Sequence, residues 1–279
     1  MSTNNPAPPV EGAVLVDYSF NTVDIPPSFL TTTPPSKPTS RPIDFAANDL
    51  PEFEDCIALV VDNVLSPDEC TELICLAESS VPVKDESSSP WRPAMIAIGD
   101  GWEIPAPGYR VSDRIIWDQQ QVADRILNRC LLADGARETL EKNIPGRNGD
   151  WWKLHSLNER MRFLKYTKGQ FFKPHTDSRT FVEKDGKELR THYTLHLYLN
   201  DSAGESSTGE GVVGGATAFV SRDGKRRLEV NPKAGSVLIF QHESLRHEGA
   251  TVTEGVKYTV RSEVFYELVL GAVPRRDRD

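Results

Sequence analysis

The chain has 279 residues, 38% of them hydrophobic and 26% charged, which provides for one substantial core with an appended arm. Its formal net charge of −9 argues against a polyanion as primary partner, so no nucleic acid is expected. No apolar run reaches the roughly 18 residues a membrane helix needs, and MSTNNPAPPVEG at the N-terminus has no secretory core, so the expectation is an intracellular, cytoplasmic protein without a membrane partner.

Residues 1–50 read as an extended arm, because IPPSFLTTTPPSKPTSRP is too rich in Pro, Ser and Thr to pack a core of its own. Val14, Leu15, Val16, Tyr18 and Phe20 form an apolar patch that could dock it. The main domain is expected over 51–271, with 272–279 as a charged tail. CIALVVDNVL is a buried strand by its β-branched content, and Ser66, Pro67 and Glu69 then spell a capping box for a helix to about Ser79. A second helical region covers about Gln119 to Asn143, interrupted around Asp134-Gly135. After Asn158 short alternating segments follow one another: MRFLKY, YTLHLYL, ATAFV, RLEV, SVLIF and KYTVRSEVFYEL. Such spacing without helices predicts a jelly-roll barrel, and helices first then strands gives an α+β fold with helices on one face. The polar, glycine-rich DSAGESSTGEG (201–211) reads as a lid at the barrel mouth. Cys56, Cys70, Cys75 and Cys130 lie in apolar stretches without CxxC spacing, as buried free thiols do.

His175 and Asp177 stand two apart in FFKPHTDSR, and in extended chain such side chains point to one side and can share an ion. The pair alone is weak, since six histidines among 41 acidic residues give about one such pair by chance. GSVLIFQHESLRHEG offers His242 or His247 as a third ligand. Two histidines and a carboxylate leave positions on an iron open for a chelating cosubstrate and dioxygen. In KYTVRSEVFY, Lys257, Thr259 and Arg261 share one face and Val256, Tyr258 and Val260 the other. If the polar face lines the barrel, its buried cation needs an anion, and a dicarboxylate would supply one.

Four blocks, YRVS (109–112), LKYTKGQFFKPHTD (164–177), GGATAF (214–219) and HEGATVTEGVKY (247–258), make residues 109–268 resemble the prolyl 4-hydroxylase-like branch of the 2-oxoglutarate/iron(II) dioxygenases. The last block has a valine five, a glycine eight and a lysine ten residues after its histidine, which selects His247 over His242. The resemblance implies a double-stranded β-helix with His175, Asp177 and His247 as iron ligands. It implies Lys257 on the distal carboxylate of 2-oxoglutarate, with Tyr166, Thr194 and Tyr198 around that cosubstrate and Arg261 as a second carboxylate partner. His196 falls among them as pocket wall. Iron(II), 2-oxoglutarate and dioxygen are the implied cofactors, ascorbate the implied reductant, and succinate and carbon dioxide the co-products of oxidising an aliphatic C–H bond. YRVS resembles the loop that covers the substrate in prolyl hydroxylases, which brings Arg110 and Arg114 to the mouth, and Arg162 and Arg179 are further candidate substrate anchors.

The substrate does not carry over with the fold. No peptide-binding helical domain or secretory signal is visible, and charged segments crowd the expected site. A small molecule is therefore expected rather than a proline-containing peptide or protein. Two other readings remain: a non-catalytic jelly roll that only binds a ligand, and a metalloenzyme of similar fold without 2-oxoglutarate. Substrate identity, the position oxidised, hydroxylation against desaturation or cyclisation, and oligomeric state are not written in the sequence.

Overall fold

Alternation between polar and apolar residues builds two facing sheets here, because each strand must hide one side chain in two. The computed structural model describes residues 9–16, 18–85, 87–99 and 101–271; the first eight residues of the arm and the expected charged tail 272–279 lie outside them. The major sheet runs Thr39–Pro42, Ala58–Asp62, Val237–Gln241, Lys187–Tyr198, Lys257–Val269, Arg160–Tyr166, Asp113–Asp118 and Arg92–Pro93. Trp151–Leu157 also pairs with Lys257–Val269. The minor sheet runs Arg227–Val230, Thr217–Val220, His247–Gly249, Phe171–His175 and Arg110–Val111. From Arg160 onward the chain crosses repeatedly between the two, and the strand pairs within both sheets are antiparallel. That winding is a double-stranded β-helix, and with its helices on one side the fold is α+β.

The helices cover the outer face of the major sheet. Helix α1 (Pro67–Ser79) starts on a closed capping box, with Ser66 Oγ accepting from the Glu69 N–H at 3.2 Å and the Glu69 carboxylate from the Ser66 N–H at 2.8 Å. Helices α2 (Gln120–Cys130) and α3 (Asp134–Leu140) divide at Leu131–Ala133, where the sequence suggested a break at Asp134-Gly135. Asp134 instead opens α3, where a carboxylate complements the N-terminal dipole. Val122, Ala123 and Ile126 of α2 join Phe163, Leu195, Leu197, Val260 and Val264 of the sheet in the main core. Buried Arg129 fastens this layer, its guanidinium donating to both Glu69 carboxylate oxygens at 2.8 Å and to the backbone oxygens of Val64 and Thr32.

Arm residues enter the core. Phe29 and Leu30 pack with the helices, while Phe45 and Leu50 fill a second cluster with Phe219 and Phe240. Tyr18 donates to Glu103 at 2.8 Å, and Glu103 is the buried partner of Arg114. The expected lid is a correction. No residue of 201–211 lines the cavity between the sheets; the segment is tied to the turn at 232–234 through Ser202 N–H to Pro232 O and Ala234 N–H to the Asp201 carboxylate, both 2.7 Å. Polarity and glycine show that a segment is a surface loop, not which end of a barrel it occupies. The cysteines also differ from expectation, with Cys70 and Cys130 buried but Cys75 exposed and Cys56 half-buried, all free. No helix among the described residues is long and apolar enough to cross a membrane.

Candidate active site

Strand register assembles the site. His175 ends the strand Phe171–His175, and its cross-strand partner in the minor sheet is His247, so two residues 72 positions apart become neighbours with ring centroids 4.3 Å apart. Asp177 follows at i+2 and closes the group. Its carboxylate lies 3.9 Å from His175 Nε2 and 3.7 Å from His247 Nε2. One ligand atom from each residue falls within 4.8 Å of the others. Both histidines direct Nδ1 at a backbone carbonyl, Lys173 O at 2.8 Å and Leu245 O at 3.1 Å. A Nδ1–H donated there leaves the Nε2 lone pairs facing the centre, as metal binding requires. Aromatic rings flank them, Phe172 stacked on His175 at 3.7 Å and Phe240 edge-on to His247 at 4.6 Å.

Electrostatics also suit a cation. Burial, then the nearby His247, pushes His175 down to about 3, and burial lowers His247 as well, so both rings are neutral near pH 7 and able to ligate. Burial alone would raise Asp177, but Arg261 and the two histidines outweigh it and hold the carboxyl well below its ordinary range. Arg261 donates to Asp177 at 2.8 Å and to Glu263 at 2.9 Å, and Thr194 Oγ1 donates to Asp177 at 2.5 Å. The carboxylate is thus ionised and oriented before any ligand arrives.

The other wall is a set of cross-strand rows on the inner face of the major sheet. Tyr166 pairs with Lys257, Leu164 and Tyr198 with Thr259, Arg162 and His196 with Arg261, and Thr194 with Glu263. Lys257 is 2% exposed and has no ion-pair partner among the described residues. Its Nζ lies 5.6 Å from the ring centroids of both Tyr166 and Tyr198, and burial pushes it down to about 7. Around it the Tyr198, Thr217 and Thr259 hydroxyls and His196 Nε2 are buried without hydrogen-bond partners. Buried groups of this kind cost free energy unless a ligand completes them. A carboxylate has the charge for Lys257 and the acceptors for the hydroxyls, so the pocket fits one end of 2-oxoglutarate. The glycine of GGATAF permits the approach: Gly215 has φ +69, and a Cβ there would meet Val252 at 2.9 Å and the Lys257 stem at 3.3 Å.

The remaining candidates separate. His175, Asp177, His247, Lys257, Tyr166, Thr194, Arg261, Arg110, Arg114 and Arg162 line one cavity of about 360 Å³. Tyr198 lies behind it, fully buried, and Arg179 turns away to pair with Glu243 at 2.6 Å. Arg261, expected beside a cosubstrate carboxylate, is engaged by Asp177 and Glu263, and Arg162 shares Glu263 at 3.0 Å. Sequence reasoning passed over Glu263, although the period-two run Lys257, Thr259, Arg261 continues to it. It also passed over the Glu103–Tyr18 support of Arg114, whose partners lie far apart in the chain.

Residues 161–262, which contain the triad, Lys257 and Arg261, match the profile of the 2OG-Fe(II) oxygenase superfamily. No curated protein sequence matches the chain. Among solved structures it is similar to a Pseudomonas putida prolyl-4-hydroxylase (17% identity, covering 80% of this chain and 99% of that one, TM-score 0.48). It is also similar to the viral collagen prolyl hydroxylase of Paramecium Bursaria Chlorella virus-1 with 2-oxoglutarate (17%, 75% and 95%, TM-score 0.41). A third is HygX from Streptomyces hygroscopicus with nickel, 2-oxoglutarate and hygromycin B (16%, 77% and 84%, TM-score 0.41). Residues 161–262 thus carry the signature of the 2OG-Fe(II) oxygenase superfamily, a class of oxidoreductases. That class implies iron(II), 2-oxoglutarate and dioxygen.

Proposed function

We propose that His175, Asp177 and His247 hold iron(II), that Lys257 takes the distal carboxylate of 2-oxoglutarate, and that the enzyme hydroxylates an aliphatic C–H bond of a small molecule. The observation that carries this reading is the convergence of three ligand atoms beside a buried lysine without an anion. When bound, iron with 2-oxoglutarate and dioxygen supplies the oxidant, and succinate and carbon dioxide leave; ascorbate is the reductant that keeps the iron ferrous. The chain's own part is placement. Thr194 and Arg261 fix the Asp177 carboxylate, Phe172 and Phe240 hold the imidazoles in place, and Tyr166 and Thr259 flank Lys257 on the cosubstrate side.

A small molecule is favoured over a peptide because the cavity, about 360 Å³, is at the low end of small-ligand pockets, roughly 300–1,000 Å³, and the cosubstrate shares it. Met95, Ile96 and Ala97 further wall it. The test is substrate-dependent succinate release with iron, ascorbate and 2-oxoglutarate, comparing proline-rich peptides with pools of small molecules analysed by mass spectrometry. Oxygenation of a small molecule, lost in His175→Ala, is expected; peptide hydroxylation with no small-molecule product would overturn the choice of substrate. A non-catalytic jelly roll predicts no succinate under any condition.

A further inference from the structure

Most charged groups in the cavity wall already have partners. Arg114 is held by Glu103, Arg261 and Arg162 by Asp177 and Glu263, and Glu248 by Arg227. Of the described residues that line this cavity, two cations have no carboxylate partner, Lys257 and Arg110. On the reading above, Lys257 belongs to the cosubstrate. Arg110 does not, because it sits across the cavity on the minor sheet, opposite Phe172 in the register of Arg110–Val111 with Phe171–His175.

The surroundings of Arg110 hold its guanidinium in place without neutralising it. Its Cζ lies 4.7 Å over the Phe172 ring, and Phe172 is itself stacked on His175. Nε donates to Ser112 Oγ at 3.3 Å, which leaves the two terminal nitrogens of the fork free for another acceptor. Burial lowers its pKa, the Tyr166 hydroxyl opposes that, and three further arginines, Arg114, Arg261 and Arg162, act in the same direction as burial. A guanidinium remains protonated even so, and a half-buried cation among cations gains most from an incoming anion. A planar fork with two free donors matches a carboxylate bidentately. The same cavity is also walled by apolar Leu164, Met95 and Ile96.

Resting on the small-molecule reading, we infer that the substrate has an apolar body and one carboxylate, and that Arg110 is the residue that binds this carboxylate and selects for it. The arginine fixes the end of the substrate that does not react, and the apolar wall carries the rest toward the histidine–aspartate cluster.

The experiment uses full-length protein loaded with zinc(II) and saturated with 2-oxoglutarate, so that Lys257 is occupied and no turnover occurs. Butyrate, hexanoate and benzoate are the probes, with butyramide, hexanamide and benzamide as neutral isosteres, and binding is followed by NMR line broadening and calorimetry. At least one carboxylate should bind with saturation, and its amide at least about tenfold more weakly, as loss of a charge-assisted pair implies. Arg110→Gln should weaken the carboxylate about 10–100-fold and leave 2-oxoglutarate affinity unchanged, whereas Arg110→Lys should keep part of it. Equal binding of acid and amide, equal binding to wild type and Arg110→Gln, or no binding of any acid would each overturn the inference. Succinate release driven by peptides would instead retire the small-molecule reading, and the two failures are separately visible.

Discussion

Lys257 offers the sharpest quantitative test of the site. Burial lowers it from an ordinary 10.5 to about 7, a difference of about 5 kcal/mol between charged and neutral forms. A dicarboxylate in contact with Nζ stabilises the charged form, so cosubstrate binding must draw a proton from solution. If pairing restores the ordinary value, uptake at pH 8 is about 0.9 proton, and affinity falls about 50-fold between pH 7 and 9. Calorimetry of 2-oxoglutarate binding to zinc-loaded protein, in buffers of different ionisation enthalpy, reads that uptake directly. Lys257→Met should abolish it and weaken binding by roughly 3–5 kcal/mol, the usual cost of deleting one member of a buried pair. The same substitution has an opposite effect on ligand-free stability. A lysine with a depressed native pKa penalises folding fully below pH 7 and ceases to do so as pH rises toward 10.5, so Lys257→Met should raise Tm at pH 6.5 by roughly 2–4 °C per kcal/mol recovered and change it little at pH 10. Identical binding enthalpies across buffers at pH 8, or undiminished affinity in Lys257→Met, would refute the reasoning.

Other expectations follow from the same geometry. His247→Ala should abolish iron binding and turnover, whereas His242→Ala should retain iron, as measured by metal content after gel filtration; the reverse result would reassign the third ligand. Thr194→Val removes the 2.5 Å hydrogen bond to Asp177 and should weaken metal affinity about 10–100-fold, with unchanged affinity counting against an orienting role. Gly235 has φ +74 and a Cβ there would lie 1.8 Å from Leu65 O. Gly235→Ala should therefore destabilise the protein by about 3 kcal/mol or more, and a Tm near wild type would show that the loop relaxes at no cost.

What could be read in advance was whatever depends on local periodicity. The alternation in KYTVRSEVFY separates Lys257, Thr259 and Arg261 from Tyr258 and Val260, and the fold puts Lys257 and Arg261 against the cavity, Thr259 fully buried between them, and Val260 against the helices. The capping box at Ser66 is equally local. What could not be read depends on register between distant segments. Nothing in FFKPHTD indicates that His175 pairs with His247, nor anything in YRVSDR that Arg114 is neutralised by Glu103 while Arg110 is not. The segment RIIW carries no strand signal of its own, because its apolar run, buried throughout, has no alternation. The face Arg261 presents is legible in the sequence, whereas its partner Asp177, 84 residues away, is not.

The arm alters how separable the oxygenase fold is from its leading segment. Phe29, Leu30, Phe45 and Leu50 are all buried, and at about 1.5–3 kcal/mol for each such side chain they account for some 6–12 kcal/mol, as much as the net stability of an ordinary domain, about 5–15 kcal/mol. Tyr18 meanwhile reaches the Glu103–Arg114 pair behind the cavity wall. A shortened chain beginning at residue 51 should therefore lose its cooperative melting transition, which calorimetry would register, and a transition preserved in that fragment would show the contacts to be dispensable. Grafting the barrel of this enzyme, or exchanging it with that of a relative, would have to transplant the leading segment as part of the same folding unit.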